Sequence, residues 1–135
     1  MIRGDILNED DVEKAVTKAE IVFNFAGIAD ISLANERAVD TVRHNVLGNT
    51  IILEACVHSK ISRYIFASSV YVYSKAGGFY RCSKQSSEHY VEEYQRTFGL
   101  DYTILRYGSL YGERAGPHNG VYRLLRQALE KGEIV

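Results

Sequence analysis

The sequence predicts an α/β fold in which a partial, doubly wound parallel sheet carries helices on both faces. Two observations predict it. Short apolar runs of strand length alternate along the chain with longer stretches whose apolar residues recur at helical spacing. The short runs are apolar at nearly every position, the pattern of strands buried on both faces. Strands that alternate with helices are joined by crossovers into a parallel sheet.

Residues 2–6 read as the end of a strand running into a loop. Asn8 or Asp10 can cap the next helix, in which Val12, Ala15, Val16 and Ala19 form a stripe between charges. Residues 21–26, closed by Gly27, suit a buried strand. A long helix is expected from about Arg37 to His58; between Val46 and Val57 it is apolar on nearly every face, so cover on more than one side is expected. Arg63 to Ser69, with Tyr64, Ile65, Phe66 and Ala67, is another strand buried on both faces. Lys75 to Phe79, with Gly77 and Gly78, is a loop. Tyr80 to Phe98 is a helix with Val91, Tyr94 and Phe98 on one stripe and Gly99 as its C-cap. Tyr102 to Tyr107 is a further strand. A glycine-rich loop with the only proline, Pro117, comes next, and Asn119 caps a last helix carrying Val121, Leu124, Leu125, Ala128 and Leu129. A doubly wound sheet needs more strands than these, so a truncated or split domain is expected.

Composition narrows the function classes. A chain of 135 residues that is 46% hydrophobic and 24% charged can build a core and is unlike a disordered segment. A formal net charge of -1 gives no reason to expect a nucleic acid or an anionic membrane as partner. No apolar run reaches membrane-span length, and no charged-then-apolar signal opens the chain. Cys56 and Cys82 are too few for a disulfide framework, so a reduced, cytoplasmic protein is expected. His44, His58, His89 and His118 have no metal-ligand spacing, and no metal is expected.

Chemistry is carried first by Tyr80-Arg81-Cys82-Ser83-Lys84. Tyr and Lys at i and i+4 lie roughly 40° apart around a helix and can face one cleft. A free tyrosine, with a pKa of about 10, is a poor base at neutral pH. A nearby ammonium, a partly buried site and a cofactor's positive charge together favour the phenolate. Such a pair is more often a half-buried surface pair than a catalytic one. The preceding strand, however, ends in Ser68-Ser69, and functional groups of parallel sheets gather at the carboxyl ends of strands. A serine there can bind a substrate oxygen and share a proton with Tyr80; the plain alternative is that the two serines only turn the chain.

Six motifs in order carry a resemblance: Gly4-Asp5-Ile6, Phe23-Asn24-Phe25-Ala26-Gly27, Asn45-Val46-Leu47-Gly48, Phe66-Ala67-Ser68-Ser69-Val70-Tyr71-Val72-Tyr73, Tyr80-x-x-Ser83-Lys84 and Leu105-Arg106-Tyr107-Gly108-Ser109-Leu110-Tyr111-Gly112. Across nearly its whole length the chain resembles the extended short-chain dehydrogenase/reductase family, and within it the NAD-dependent nucleotide-sugar epimerases of the UDP-glucose 4-epimerase type. The resemblance implies a Rossmann-like fold, with 1–115 the later part of the cofactor domain and 116–135 the start of a substrate-binding region.

It also implies roles. Ser69, Tyr80 and Lys84 would be the catalytic set. Asp5, Ile6, Phe25, Ala26, Gly27, Asn45, Tyr80, Lys84 and Gly108 would contact NAD, with NADP not excluded; Ser69 and Ser109 would contact the sugar nucleotide. Without the resemblance Asp5 is equally a cap or turn residue, Phe25 to Gly27 a strand end, and Asn45 a buried polar residue in need of a partner. The implied activity is transient oxidation of a sugar hydroxyl with hydride return to the other face. A simple dehydrogenase or reductase and a non-catalytic binding module are the alternatives. A homodimer through helices near 38–58 and 80–98 is implied as well.

The sequence departs from that pattern at four places. It contains no G-x-x-G-x-x-G turn, the loop between Ser69 and Tyr80 is short, Ser109 stands where an Asn is usual, and little chain comes after Gly120. Val70 and Tyr71 occupy the positions where sugar 4,6-dehydratases carry Asp-Glu. This leaves the simplest chemistry, oxidation of an alcohol and return of the hydride.

Overall fold

In a computed structural model that describes every residue except His118 and Val135, three strands pair in parallel in the order β1-β2-β3: β1 (Ile21–Asn24), β2 (Arg63–Ser69) and β3 (Tyr102–Tyr107). Register places Phe23 beside Ile65 and Ile65 beside Thr103. The helices are α1 (Glu9–Val16), α2 (Ile31–Glu36), α3 (Ala38–Thr41), α4 (Gly48–His58), α5 (Gly78–Phe98) and α6 (Gly120–Lys131). The parallel sheet with flanking helices is the predicted fold class.

Local chemistry starts and stops these elements. The Asn8 side chain accepts from the Asp11 N–H at 3.0 Å and starts α1, whose first turn is acidic, as the helix dipole favours. Gly99 ends α5 at φ 71°, a left-handed conformation that suits glycine, and its N–H donates to Gln95 at 2.8 Å. Asn119 caps α6 by accepting from the Tyr122 N–H at 3.1 Å. Helix α2 was not expected from the sequence. Its available signal was Asp30, whose carboxylate accepts from the Leu33 N–H at 2.8 Å.

The predicted helix from Arg37 to His58 forms, but in parts. Between α3 and α4 the chain passes through a π-helical segment, Val42–Leu47. Its wider turns rotate the succeeding residues about the helix axis, and Thr41, Asn45, Gly48 and Asn49 are all buried. Helix α5 begins two residues before Tyr80, after Gly77 at φ 95°.

Two expectations are corrected. Residues 2–6 are not a strand: among the described residues no strand lies beside them, and a strand exists by pairing. The chain turns at Asp5 instead, with the Leu7 N–H donating to the Asp5 carboxylate at 2.9 Å and the Asp5 N–H to that of Asp11 at 3.2 Å. Nor are β1 and β2 buried on both faces. Tyr64 and Phe66 turn toward α4 and α5 and are fully covered, but Phe23 and Phe25 stand on the other face, 58% and 62% exposed. There the Phe25 ring lies against those of Phe23 and Tyr107, with centroids 6.4 and 6.2 Å apart.

The core lies on the covered face. Ile52, Leu53, Ala55 and Cys56 of α4 meet Tyr64 and Phe66, with Val12 and Val16 from α1 and Val91 from α5. Helix α4 is covered on these sides, while Leu47 just before it stays exposed. Among the described residues no helix is long and apolar enough to cross a membrane. One polar triad sits inside this core. The Tyr64 hydroxyl donates to Asn49 Oδ1 at 2.7 Å, and Asn24 Nδ2 donates to that hydroxyl at 2.8 Å and to Asn49 Oδ1 at 3.1 Å. It ties β1, β2 and α4 together. Tyr64→Phe should destabilise the protein by about 1–2 kcal/mol, the cost of weakening a buried network whose other members remain; urea unfolding measures it, and an unchanged midpoint would show that the triad contributes nothing net.

Candidate active site

At the carboxyl ends of β2 and β3 a cleft of about 260 Å³ is lined by Ser68, Ser69, Tyr71, Tyr80, Lys84 and Gly108, among others. Ser69 ends β2, while Tyr80 and Lys84 lie one turn apart on α5, so helical spacing and strand end bring the three side chains to one place. Tyr80 is buried, with its ring edge-on to Tyr71 at 6.4 Å between centroids.

Lys84 is only 7% exposed. Its ammonium donates to the Ala67 carbonyl at 2.7 Å and lies over the Phe66 ring, 4.8 Å from the centroid, and 5.9 Å from that of Tyr80. Burial disfavours the charged form and pushes the Lys84 amine down from 10.5 to about 8, against the opposing pull of Glu88. An amine that still carries its proton at neutral pH therefore sits beside the phenol under little water.

Asn45 joins three segments. Its Oδ1 accepts from the Ile28 N–H at 2.7 Å, and its Nδ2 donates to the Ile28 carbonyl at 3.0 Å and to Ser83 Oγ at 2.9 Å. The carboxamide thus holds the loop after β1 by both backbone groups and reaches α5 next to Lys84. Gly27 makes the approach possible: its φ is 141°, and a Cβ there would stand 2.6 Å from Asn45 Oδ1.

The remaining sequence candidates divide. Asp5, Ile6, Phe25 and Ala26 line a second groove of about 270 Å³ beside β1, with Val22, Ile52 and Val16. Asp5 is also the turn residue already described. Ser109 is exposed and does not line the cleft. Among the described residues no group of His, Cys, Asp or Glu is placed to hold a metal ion; His118 lies outside them.

Residues 1–135 match the NAD dependent epimerase/dehydratase family along their whole length. The chain belongs to that family. In structure it is similar to the UDP-glucose 4-epimerase of Thermotoga maritima solved with UDP-glucose, at a TM-score of 0.82 and 26% identity, covering 96% of this chain and 48% of that one. It is similar as well to the UDP-glucuronic acid 4-epimerase of Bacillus cereus in complex with UDP-glucuronic acid and NAD, at a TM-score of 0.80 and 30% identity, covering 95% and 45%. Among curated relatives, the UDP-N-acetyl-alpha-D-glucosaminuronate decarboxylase of Bacillus cytotoxicus is 29% identical over 151 residues, which span 96% of this chain and 46% of that protein. The chain thus spans under half the length of these relatives. Epimerases and dehydratases of this family are NAD-dependent enzymes.

The sequence alone assigns no role to Glu88 or Ser87 near the epimerase-family cleft, and shows Ser83 and Arg106 only as motif members. Ser87 Oγ lies 2.8 Å from the Asn45 and Ser83 carbonyls, and Ser83 Oγ donates to the Tyr80 carbonyl at 2.8 Å. For Ser83 and Ser87 the available signal was two small polar residues one turn apart on α5, which let a second helix approach closely.

Burial of Lys84 has a pH signature. Its folded pKa, about 8, lies below the ordinary 10.5, so the fold favours the neutral amine. The stability this contributes is fully present above about pH 10.5 and is lost as pH falls through about 8. Relative to Lys84→Met, the wild type should gain stability as pH rises across that window, read as thermal midpoints at successive pH values. Parallel profiles would mean that the ammonium is solvated.

Proposed function

We propose that the protein of which these residues form the Tyr–Lys region is a nucleotide-sugar 4-epimerase, an isomerase that uses NAD. The single observation that carries this is the convergence of Ser69, Tyr80 and buried Lys84 on one cleft at the carboxyl ends of parallel strands. The cofactor's surroundings are compatible. The Gly27 backbone is bare, since only a residue without Cβ fits against Asn45, and an apolar groove beside Asp5 continues along the strand ends. Asp5, Ile6, Phe25, Ala26, Gly27 and Gly108 would hold NAD, Lys84 its ribose, and Ser69 and Ser109 the sugar nucleotide. Asn45 would act there through the Ile28 loop, because its carboxamide is already engaged.

When bound, NAD supplies the hydride acceptor and donor. The protein's own groups manage the proton. Tyr80 takes it from the sugar hydroxyl and later returns it, Ser69 donates a hydrogen bond to the reacting oxygen, and Lys84 keeps a positive charge near the phenol so that its anion is less costly. Val70 and Tyr71, directly after Ser69, provide no carboxyl to protonate a departing hydroxyl, which favours epimerisation over dehydration. The free thiols Cys56 and Cys82 suit a reducing, cytoplasmic location.

Tyr80→Phe keeps the ring and removes the proton carrier. Turnover of UDP-glucose to UDP-galactose should fall by about 100-fold or more, the usual scale of a lost general acid–base group. Ser69→Ala should do less harm, and sugar-nucleotide binding should survive in both. Full activity in Tyr80→Phe at neutral pH would make Tyr80 a packing residue. Net accumulation of reduced cofactor would instead identify a dehydrogenase.

A second copy of the chain is the proposed partner. Val39, Val42 and Leu47 on the first helical stretch and Tyr90 on α5 are large apolar side chains left exposed. Two such helices from each subunit can pack as a four-helix bundle. Sedimentation should give a dimer; a strict monomer at micromolar concentration would remove the idea.

A further inference from the structure

Beside the cleft lies a second polar cluster that the proposed chemistry does not use, in which Ser68 and Glu88 are buried and Arg106 and Tyr73 reach the surface. Glu88 sits one turn beyond Lys84 on α5 and is 6% exposed. Its Oε1 accepts from the Ser68 hydroxyl and from Arg106 Nε at 3.0 Å, and its Oε2 from Arg106 Nη2 at 2.7 Å. Arg106 also donates through Nη1 to the Tyr73 hydroxyl and lies over the Tyr73 ring, 4.8 Å from its centroid. Four segments meet there: the end of β2, the 3₁₀ turn Val70–Tyr73, α5 and β3.

We propose that Glu88 is a positioning residue that sorts the serine pair at the end of β2, engaging Ser68 so that Ser69 alone meets substrate, while Arg106 and Tyr73 fix the turn directly after it. This rests on the catalytic assignment of Ser69 above. Both serines line the cleft, so sequence position alone does not decide between them. An ionised carboxylate can only accept, so Ser68 must give its proton to Glu88 and has none for a ligand. Ser69 Oγ accepts from the Tyr71 N–H at 3.3 Å, and its own proton has no acceptor among the described residues. Burial by itself would raise the Glu88 carboxyl, but the hydrogen bonds from Arg106 and Ser68 and the guanidinium charge outweigh it and hold the group below the ordinary carboxylate value. The paired geometry with Arg106 is the strong, directional form of such a contact.

The test compares the wild type with Ser68→Ala and Glu88→Gln by amide hydrogen exchange and by NMR titration of the Lys84 side chain. UDP-glucose kinetics are measured alongside. Ser68→Ala cuts one arm of the cluster and leaves the Glu88 charge. Exchange at residues 69–73 should speed up by about tenfold, as expected of a local opening, with the Lys84 midpoint unmoved. Its kcat should fall while KM stays constant. Glu88→Gln should speed the same amides and also lower the Lys84 midpoint, because a neighbouring negative charge is lost. A role in packing alone would loosen the chain evenly in both variants; the Lys84 midpoint falls with the lost charge in either case. Wild-type exchange at residues 69–73 in Ser68→Ala, or uniform loosening in both variants, overturns the proposal. Should Glu88→Gln not fold, Ser68→Ala decides by itself. Absence of epimerisation by the wild type would instead sink the 4-epimerase function, and the exchange comparison would still test Glu88.

Discussion

The Asn45 carboxamide bonds both backbone groups of Ile28 and the hydroxyl of Ser83, and the arrangement of the cleft depends on that fixture. It pins the loop after β1 to α5 at the residue next to Lys84, so the strand ends and the Tyr80–Lys84 turn keep a constant separation. The π-helical segment places Asn45 there. Its wider turns set the direction of the Asn45 side chain, and the Asn45 carbonyl accepts from Ser87 Oγ. Gly27 completes the fixture, because any larger residue would collide with the amide oxygen.

Around that fixture the structure buries charge in a graded way. Lys84 is covered by Phe66 and Tyr80, with a backbone carbonyl as its one close acceptor among the described residues, and its ammonium is held cheaply enough to stay protonated but not comfortably. Glu88 is buried with full compensation from Arg106 and Ser68. A charge poised to change its proton affinity and a charge locked in place thus sit one helical turn apart. Poise is what acid–base work needs, and rigidity is what orientation needs.

Element types were legible where periodicity and caps agree. The span of β2 and β3, the cap at Asn8, the stop at Gly99 and the start at Asn119 all arise from local chemistry that the sequence displays. The strand expected at residues 2–6 was a misreading of the same kind of signal, because strand identity depends on a neighbour and not on the run itself. Burial was misjudged at Phe23 and Phe25 for a related reason: an apolar run says that a face prefers cover, and only packing says whether cover is there. Helix α2 is not legible in the sequence because it is short and its apolar residues do not complete a stripe.

The sequence by itself determined the family, the α/β class and the meeting of Tyr80 with Lys84, because each depends on residue types at fixed short spacing, and backbone geometry converts that spacing directly into direction. Tertiary structure decided the rest: that Lys84 is buried, that Asn45 is a clamp, and that the Ser68 hydroxyl donates to Glu88. Each of these joins residues far apart in the chain. Their distances are set by how helices settle on the sheet, which no local pattern encodes.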